Sequence, residues 1–112
     1  MPSSTTLVVI HPRELLCLGL LSVFKSEAGV SVVAHGSTGK DAGGLIKQHR
    51  PDVLLLFDQM DDQDSFDLAK QLKESNPDLK IVMLGVQENE TYMARAAAAG
   101  VQDYLFEGST GR

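Results

Sequence analysis

The sequence predicts an α/β domain of three layers, a parallel five-stranded sheet covered by helices on both faces. Two observations carry this. Five short apolar runs recur along the chain: LVVI at Leu7 to Ile10, VSVVA at Val30 to Ala34, VLLLF at Val53 to Phe57, IVML at Ile81 to Leu84 and DYLF at Asp103 to Phe106. Continuous runs of this length, rather than alternating ones, suit parallel strands buried on both sides. Between them lie four segments of helical periodicity, and a strict strand–helix alternation with short connections implies right-handed crossovers.

The first helix follows Pro12. Leu15, Leu16, Leu18, Gly19, Leu20 and Phe24 give it a broad apolar stripe, and Gly29 suits its terminus because it lacks a Cβ. The second spans Asp41 to Arg50 around Leu45 and Ile46 and stops before Pro51. It is expected to be weak, since Gly43 and Gly44 each cost about 1 kcal/mol relative to alanine in a helix interior. The third runs from Ser65 to Glu74 with Phe66, Leu68, Ala69 and Leu72 at helical spacing, with Asp64 as a reasonable N-cap and the turn SNPD closing it. Glu90 to Ala99, with Met93 and the run AAAA, forms the fourth and ends at Gly100. The chain stops at EGSTGR just after the fifth strand, so no fifth helix is expected here; either it is the N-terminal part of a longer gene product, or a partner covers the gap.

A chain of 112 residues with 43% hydrophobic and 22% charged content fits one globular domain with a single core, residues 1–112. No apolar run is long enough to span a bilayer, and MPSSTT lacks the basic residue of a secretory signal, so the cytoplasm is the expected location. Cys17, alone of its kind, lies in an apolar helical pattern and reads as a small buried hydrophobe. A net charge of −5 without a basic cluster lacks the electrostatic footprint of a nucleic-acid reader.

In an open α/β sheet, ligands and chemistry lie outside the carboxyl ends of the strands, which directs attention to His11 and Pro12, Phe57 and Asp58, Gly85, and Glu107. Here the chain resembles the response-regulator receiver domain, in particular the kind attached to a helix-turn-helix output domain. The resemblance runs from Leu7 to about Ser109 and is carried by LVVI, LCLGL, VSVVAHGSTGKDA, RPDVLLLF, Met60, PDLKIVML and AAAAGVQDYLF. It implies strand order 2-1-3-4-5. It also implies a phosphoryl group passed from a sensor kinase to an aspartate at the end of the third strand. Two carboxylates after the first strand would hold Mg²⁺, a hydroxyl after the fourth would bond the phosphoryl oxygen, and a lysine after the fifth would pair with it.

Carried over residue by residue, every one of these positions is altered. The acidic pair falls on His11 and Pro12, the acceptor on Phe57, the hydroxyl on Gly85 and the lysine on Glu107. Asp61 stands where a proline usually follows Met60, and Tyr104 keeps the aromatic ring that changes rotamer on activation. No Mg²⁺ or other cofactor is expected. Asp58 lies one residue past the acceptor position, and one step along a strand turns a side chain to the opposite face. A phosphoryl group there would also face Asp61, Asp62, Asp64 and Glu107. Asp58 is therefore expected to be a solvated or helix-capping loop carboxylate, with phosphoacceptor as the alternative.

Other patterns fall short of a site. DQMDDQDSFD lacks the turning glycine and terminal glutamate of a helix-loop-helix calcium site. AHGSTGKD has Gly39 and Lys40 in order, but Ala34 and Asp41 stand where a phosphate loop needs glycine and a hydroxyl residue. His11 with Glu107 or Asp58 offers at most two metal ligands, and His35 and His49 read as a loop and a helix-end residue. The expectation is a receiver-like domain, not an enzyme, that signals through protein contacts without phosphorylation. The surface of the fourth helix and fifth strand, with Tyr92, Met93 and Tyr104, is the expected contact for a partner or a second copy. A conventional receiver using Asp58 is one alternative; the other is a small-molecule-sensing domain with a pocket of His11, Phe57, Gly85 and Glu107.

Overall fold

The computed structural model describes residues 5–25, 29–86 and 88–106. Its elements run β1 (Thr5–Ile10), α1 (Glu14–Lys25), β2 (Val30–Gly36), α2 (Gly39–His49), β3 (Val53–Phe57), α3 (Ser65–Ser75), β4 (Lys80–Gly85), α4 (Glu90–Ala98) and β5 (Asp103–Phe106). All strand pairs are parallel, in the order β2-β1-β3-β4-β5. The chain moves one way along the sheet from β1 to β2 and the other way ever after. With right-handed crossovers, that reversal puts α1 on one face and α2, α3 and α4 on the other. Val8, Val9, Leu54, Leu56, Ile81 and Met83 are fully buried in the central strands, which is why those strands read as unbroken apolar runs.

The strand registers fix which side chains share a face. Val53 pairs with Lys80, and Phe57 with Leu84; across the next ladder Met83 pairs with Tyr104 and Gly85 with Phe106. Leu7, Leu55, Val82 and Leu105 line one hollow with Phe24 of α1, so this set marks the α1 face. Leu105 is 44% exposed there.

Several boundaries differ from expectation. α1 ends at Lys25, and Gly29, with φ of 83°, serves the turn into β2, its carbonyl accepting from the N–H of Thr5. β2 extends two residues further, which makes His35 an exposed strand residue rather than a loop residue. α2 forms in full despite Gly43 and Gly44. Thr38 caps it through the N–H of Asp41, and Ala42 and Ile46 bury its inner side, so packing overrides weak propensity. It ends on Arg50 in the left-handed region at φ 45°. Asp64 caps α3 as expected, accepting from the N–H groups of Phe66 and Asp67, and Gly100 terminates α4 at φ 87°. Cys17 is buried. Among the described residues no helix is long and apolar enough to cross a membrane.

Candidate functional site

At the carboxyl edge of the sheet, β1 delivers His11 and β3 delivers Phe57 to the same place. The His11 ring is buried, with Nδ1 accepting from the N–H of Arg13 at 3.1 Å. A neutral imidazole accepting at Nδ1 carries its proton on Nε2. Its ring packs on Phe57 with centroids 4.3 Å apart and planes tilted by 35°. Phe57 is anchored from behind: its carbonyl accepts from the Ser65 hydroxyl at 2.9 Å, and Ser65 Oγ accepts from the N–H of Met60 at 3.1 Å. The outer side of Phe57 lines a hollow of about 480 Å³ with Pro12, Arg13, Met60, Asp61 and Val86. At the position where the sequence resemblance leads to the expectation of an acceptor carboxylate, an aromatic stack stands.

Asp58 goes the other way. Its N–H donates to the carbonyl of Leu84 at 2.9 Å, continuing the ladder past β3. Its carboxylate is turned toward β4 and β5, where Oδ2 accepts a hydrogen bond from the Tyr104 hydroxyl. Gly85 lies beneath this contact. A Cβ there would come within 2.7 Å of Asp58 Oδ2 and 2.9 Å of Tyr104 Cε1, so the pair forms because position 85 has no side chain. Tyr104 stacks on Phe106 with centroids 4.6 Å apart and planes within 12°. Burial first, then the bond to Asp58 and its charge, push the Tyr104 phenol above its ordinary value of 10.0. The phenol stays protonated and donates at neutral pH.

This overturns the expectation that Asp58 is solvated or caps a helix: it is 5% exposed. The physical reason is the strand period of two, which sends Asp58 to the side opposite Phe57, where glycine leaves room for it. The other aspartates are dispersed as well. Asp62 accepts from the N–H groups of Gly39 at 2.8 Å and Lys40 at 3.0 Å, and the Gly39 bond in particular lowers its pKa below the usual carboxylate range. The start of α2, whose sequence falls short of a phosphate loop, is thus filled by the chain's own carboxylate. Asp64 caps α3 and pairs with Arg95 of α4 at 2.9 Å. Its pKa is lowered too, foremost by the N–H of Asp67. Asp61 remains exposed at the hollow.

The remaining predicted site residues are scattered. Tyr92 is half-buried against the Phe66 ring, centroids 5.4 Å apart, and the Arg95 guanidinium covers the same ring at 4.5 Å. Met93 is exposed, while Tyr104 is turned inward onto Asp58. Glu107 lies outside the described residues. Among the described residues, no group of three His, Cys, Asp or Glu side chains could hold a metal ion. A hard cation needs several oxygen ligands, and the residues at the expected position are an imidazole, a proline and a phenyl ring, so they do not fit Mg²⁺. Sequence reasoning missed the Asp58–Tyr104 contact, the Ser65 anchor and the bond from Asp62 to α2. The first was within reach: setting β3 against β4 and β4 against β5 places Asp58, Gly85 and Tyr104 on one side of the sheet.

Comparison with known proteins agrees with the fold. A family model described as the response regulator receiver domain matches residues 8–108. The response regulator protein VraR of Staphylococcus saprophyticus is 33% identical over 100 residues, which make up 88% of this chain and 47% of the relative. VraR of Staphylococcus aureus is 30% identical with the same coverage. The chain thus spans about half the length of the curated relatives it matches. Among solved structures, a LuxR-family two-component response regulator from an Aurantimonas species superposes with a TM-score of 0.88 at 14% identity, covering 94% of this chain and 75% of that one. A LuxR-family DNA-binding response regulator from Staphylococcus aureus gives 0.85 at 18%, covering 93% and 87%. At these identities the superpositions speak for the fold alone, while the family match over residues 8–108 makes the chain a member of the response regulator receiver domain family.

Proposed function

We propose that this chain is an atypical receiver domain of a two-component response regulator, which signals through protein contacts without aspartyl phosphorylation, and that it serves a transcriptional regulator. The observation that carries the reading is the aromatic stack of Phe57 on His11 at the acceptor position. The adjacent carboxylate, Asp58, is engaged by Tyr104 over Gly85. A phosphoryl group on Asp58 would have to displace the phenol and add roughly two negative charges to a buried place.

In a phosphorylated receiver, new charge is the event that biases a two-state element. Here the Tyr104 ring is already held inward, which supports one fixed state. The α4–β5 surface is the proposed contact for a protein partner, with Met93 of α4 exposed. Its link to transcription rests on the LuxR-family DNA-binding regulator whose fold it shares. A titration with Mg²⁺ and beryllofluoride, read by amide NMR, tests the reading. The expected result is unchanged resonances at Asp58, Gly85 and Tyr104; saturable shifts at these three would contradict it.

A further inference from the structure

At the amino edge of the sheet, the end opposite His11 and Phe57, α2 and α3 part around a groove of about 730 Å³. That is the size of a small-molecule site. Its floor is apolar: Ile46, Pro51, Leu72 and Leu79 line it and are buried. Its two walls carry opposite charge. Lys47 and Arg50 stand on the α2 side, and the turn from α3 into β4 brings Asp78 to the other. These three side chains are exposed, and none takes part in an ion pair or side-chain hydrogen bond among the described residues. Neighbouring charges, by contrast, are used within the domain. Lys73 donates to the carbonyl of Leu79 at 2.6 Å, and Asp52 Oδ2 accepts from the N–H of Thr6 at 2.9 Å and from its hydroxyl at 3.2 Å.

Arg50 is unusual in its backbone as well. Among the described residues it is the one other than glycine with positive φ, at 45°. Glycine closes a helix in this conformation without strain, as Gly100 does after α4. Lys47 and His49 already place positive charge in the last turn of α2, so the helix dipole does not call for a further cation. Strained residues of this kind cluster at ligand sites, and what arginine offers here that glycine does not is a guanidinium beside the groove.

We infer that the groove binds a small zwitterion with an apolar body, an apolar amino acid or short peptide, with its carboxylate on Lys47 and Arg50 and its ammonium facing Asp78. A guanidinium suits a carboxylate because it can donate two parallel hydrogen bonds. On the other wall the carboxyl end of the α3 dipole adds to the charge of Asp78, which favours an ammonium over a second anionic group. The α3 wall is set without a ligand. The N–H and the side-chain amide of Asn76 donate to the carbonyl of Leu72 at 2.9 and 3.0 Å, and the N–H of Leu79 donates to the carbonyl of Asn76 at 2.9 Å. No residue of this site takes part in the contacts that close the carboxyl edge.

Amide NMR of the 112-residue chain, titrated into the millimolar range, tests this with leucine, leucyl-leucine, leucyl-leucine amide and acetyl-leucyl-leucine. Saturable shifts are expected at Ile46, Arg50, Leu72, Asp78 and Leu79. Tighter binding of leucine marks the occupant as an amino acid, and tighter binding of leucyl-leucine marks it as a peptide. Masking either end of the dipeptide should weaken it by about fivefold. Arg50→Gly, shown to be folded by circular dichroism, should weaken leucyl-leucine to a similar extent and narrow its advantage over the amide. Asp78→Asn should narrow its advantage over the acetylated form. An Arg50 that only terminates α2 would leave binding unchanged in the folded Arg50→Gly. That result, the absence of saturable shifts with all four probes, shifts confined to the carboxyl edge, or affinity indifferent to masking would each overturn the inference.

Discussion

Phe57 with His11 and Asp58 with Tyr104 occupy neighbouring places on one sheet edge, separated by a single step of the chain, yet they close it by opposite chemistry. On the α1 face, two rings 4.3 Å apart exclude water by apolar packing. On the other face, a carboxylate and a phenol satisfy each other over a residue with no side chain. The first closure meets loss of a partner as a cavity; the second meets it as a hydrogen bond removed from a buried carboxyl group. Gly85 leaves room for Tyr104, and Tyr104 donates to Asp58.

The two closures should fail differently. Phe57→Ala removes the ring that covers His11 and should cost about 3 kcal/mol of unfolding free energy in urea, with Tyr104 undisturbed. Gly85→Thr should cost about 2 kcal/mol by overpacking and should expel Tyr104 from Asp58, visible as a phenol that titrates nearer its ordinary value of 10.0. Tyr104→Phe removes a hydrogen bond to a charged group and should cost about 1.5 kcal/mol. Because the folded state raises the Tyr104 pKa, its stabilisation is fully present below pH 10.0 and is lost as pH rises beyond it. The gap between wild type and Tyr104→Phe should therefore narrow above that pH; a constant gap would mean the phenol is not held by the carboxylate.

Asp64→Ala, which uncaps α3 and releases Arg95, should cost about 1 kcal/mol. Asp64 has a lowered pKa, so its contribution is present above 3.8 and is lost as pH falls below that value. The smallest effect is expected far from the edge. Gly43 has open space around its Cβ position, and Gly43→Ala should stabilise by about 0.5 to 1 kcal/mol while leaving both closures as they are.

Strand runs such as VLLLF and the N-cap at Asp64 are local signals, and they were legible in the sequence. So was the divergence of Phe57 and Asp58, since it follows from the strand period alone. The burial of Asp58 was not read, because an aspartate beside Asp61, Asp62 and Asp64 looks like part of a solvated run. Its partner lies 46 residues away, and only the register across β4 and β5 brings them together. The start of α2, two residues before the expected Asp41, escaped for a similar reason. Two glycines argue against a helix, while the bonds from Asp62 to its first N–H groups come from a different loop.

The central claim is that this receiver's carboxyl edge is closed to phosphoryl transfer. Intact mass measurement after incubation with a small phosphodonor and Mg²⁺ tests it most directly. The account predicts an unchanged mass for the wild-type chain and for Asp58→Asn alike. A stoichiometric phosphoryl adduct on the wild type that disappears in Asp58→Asn would contradict it.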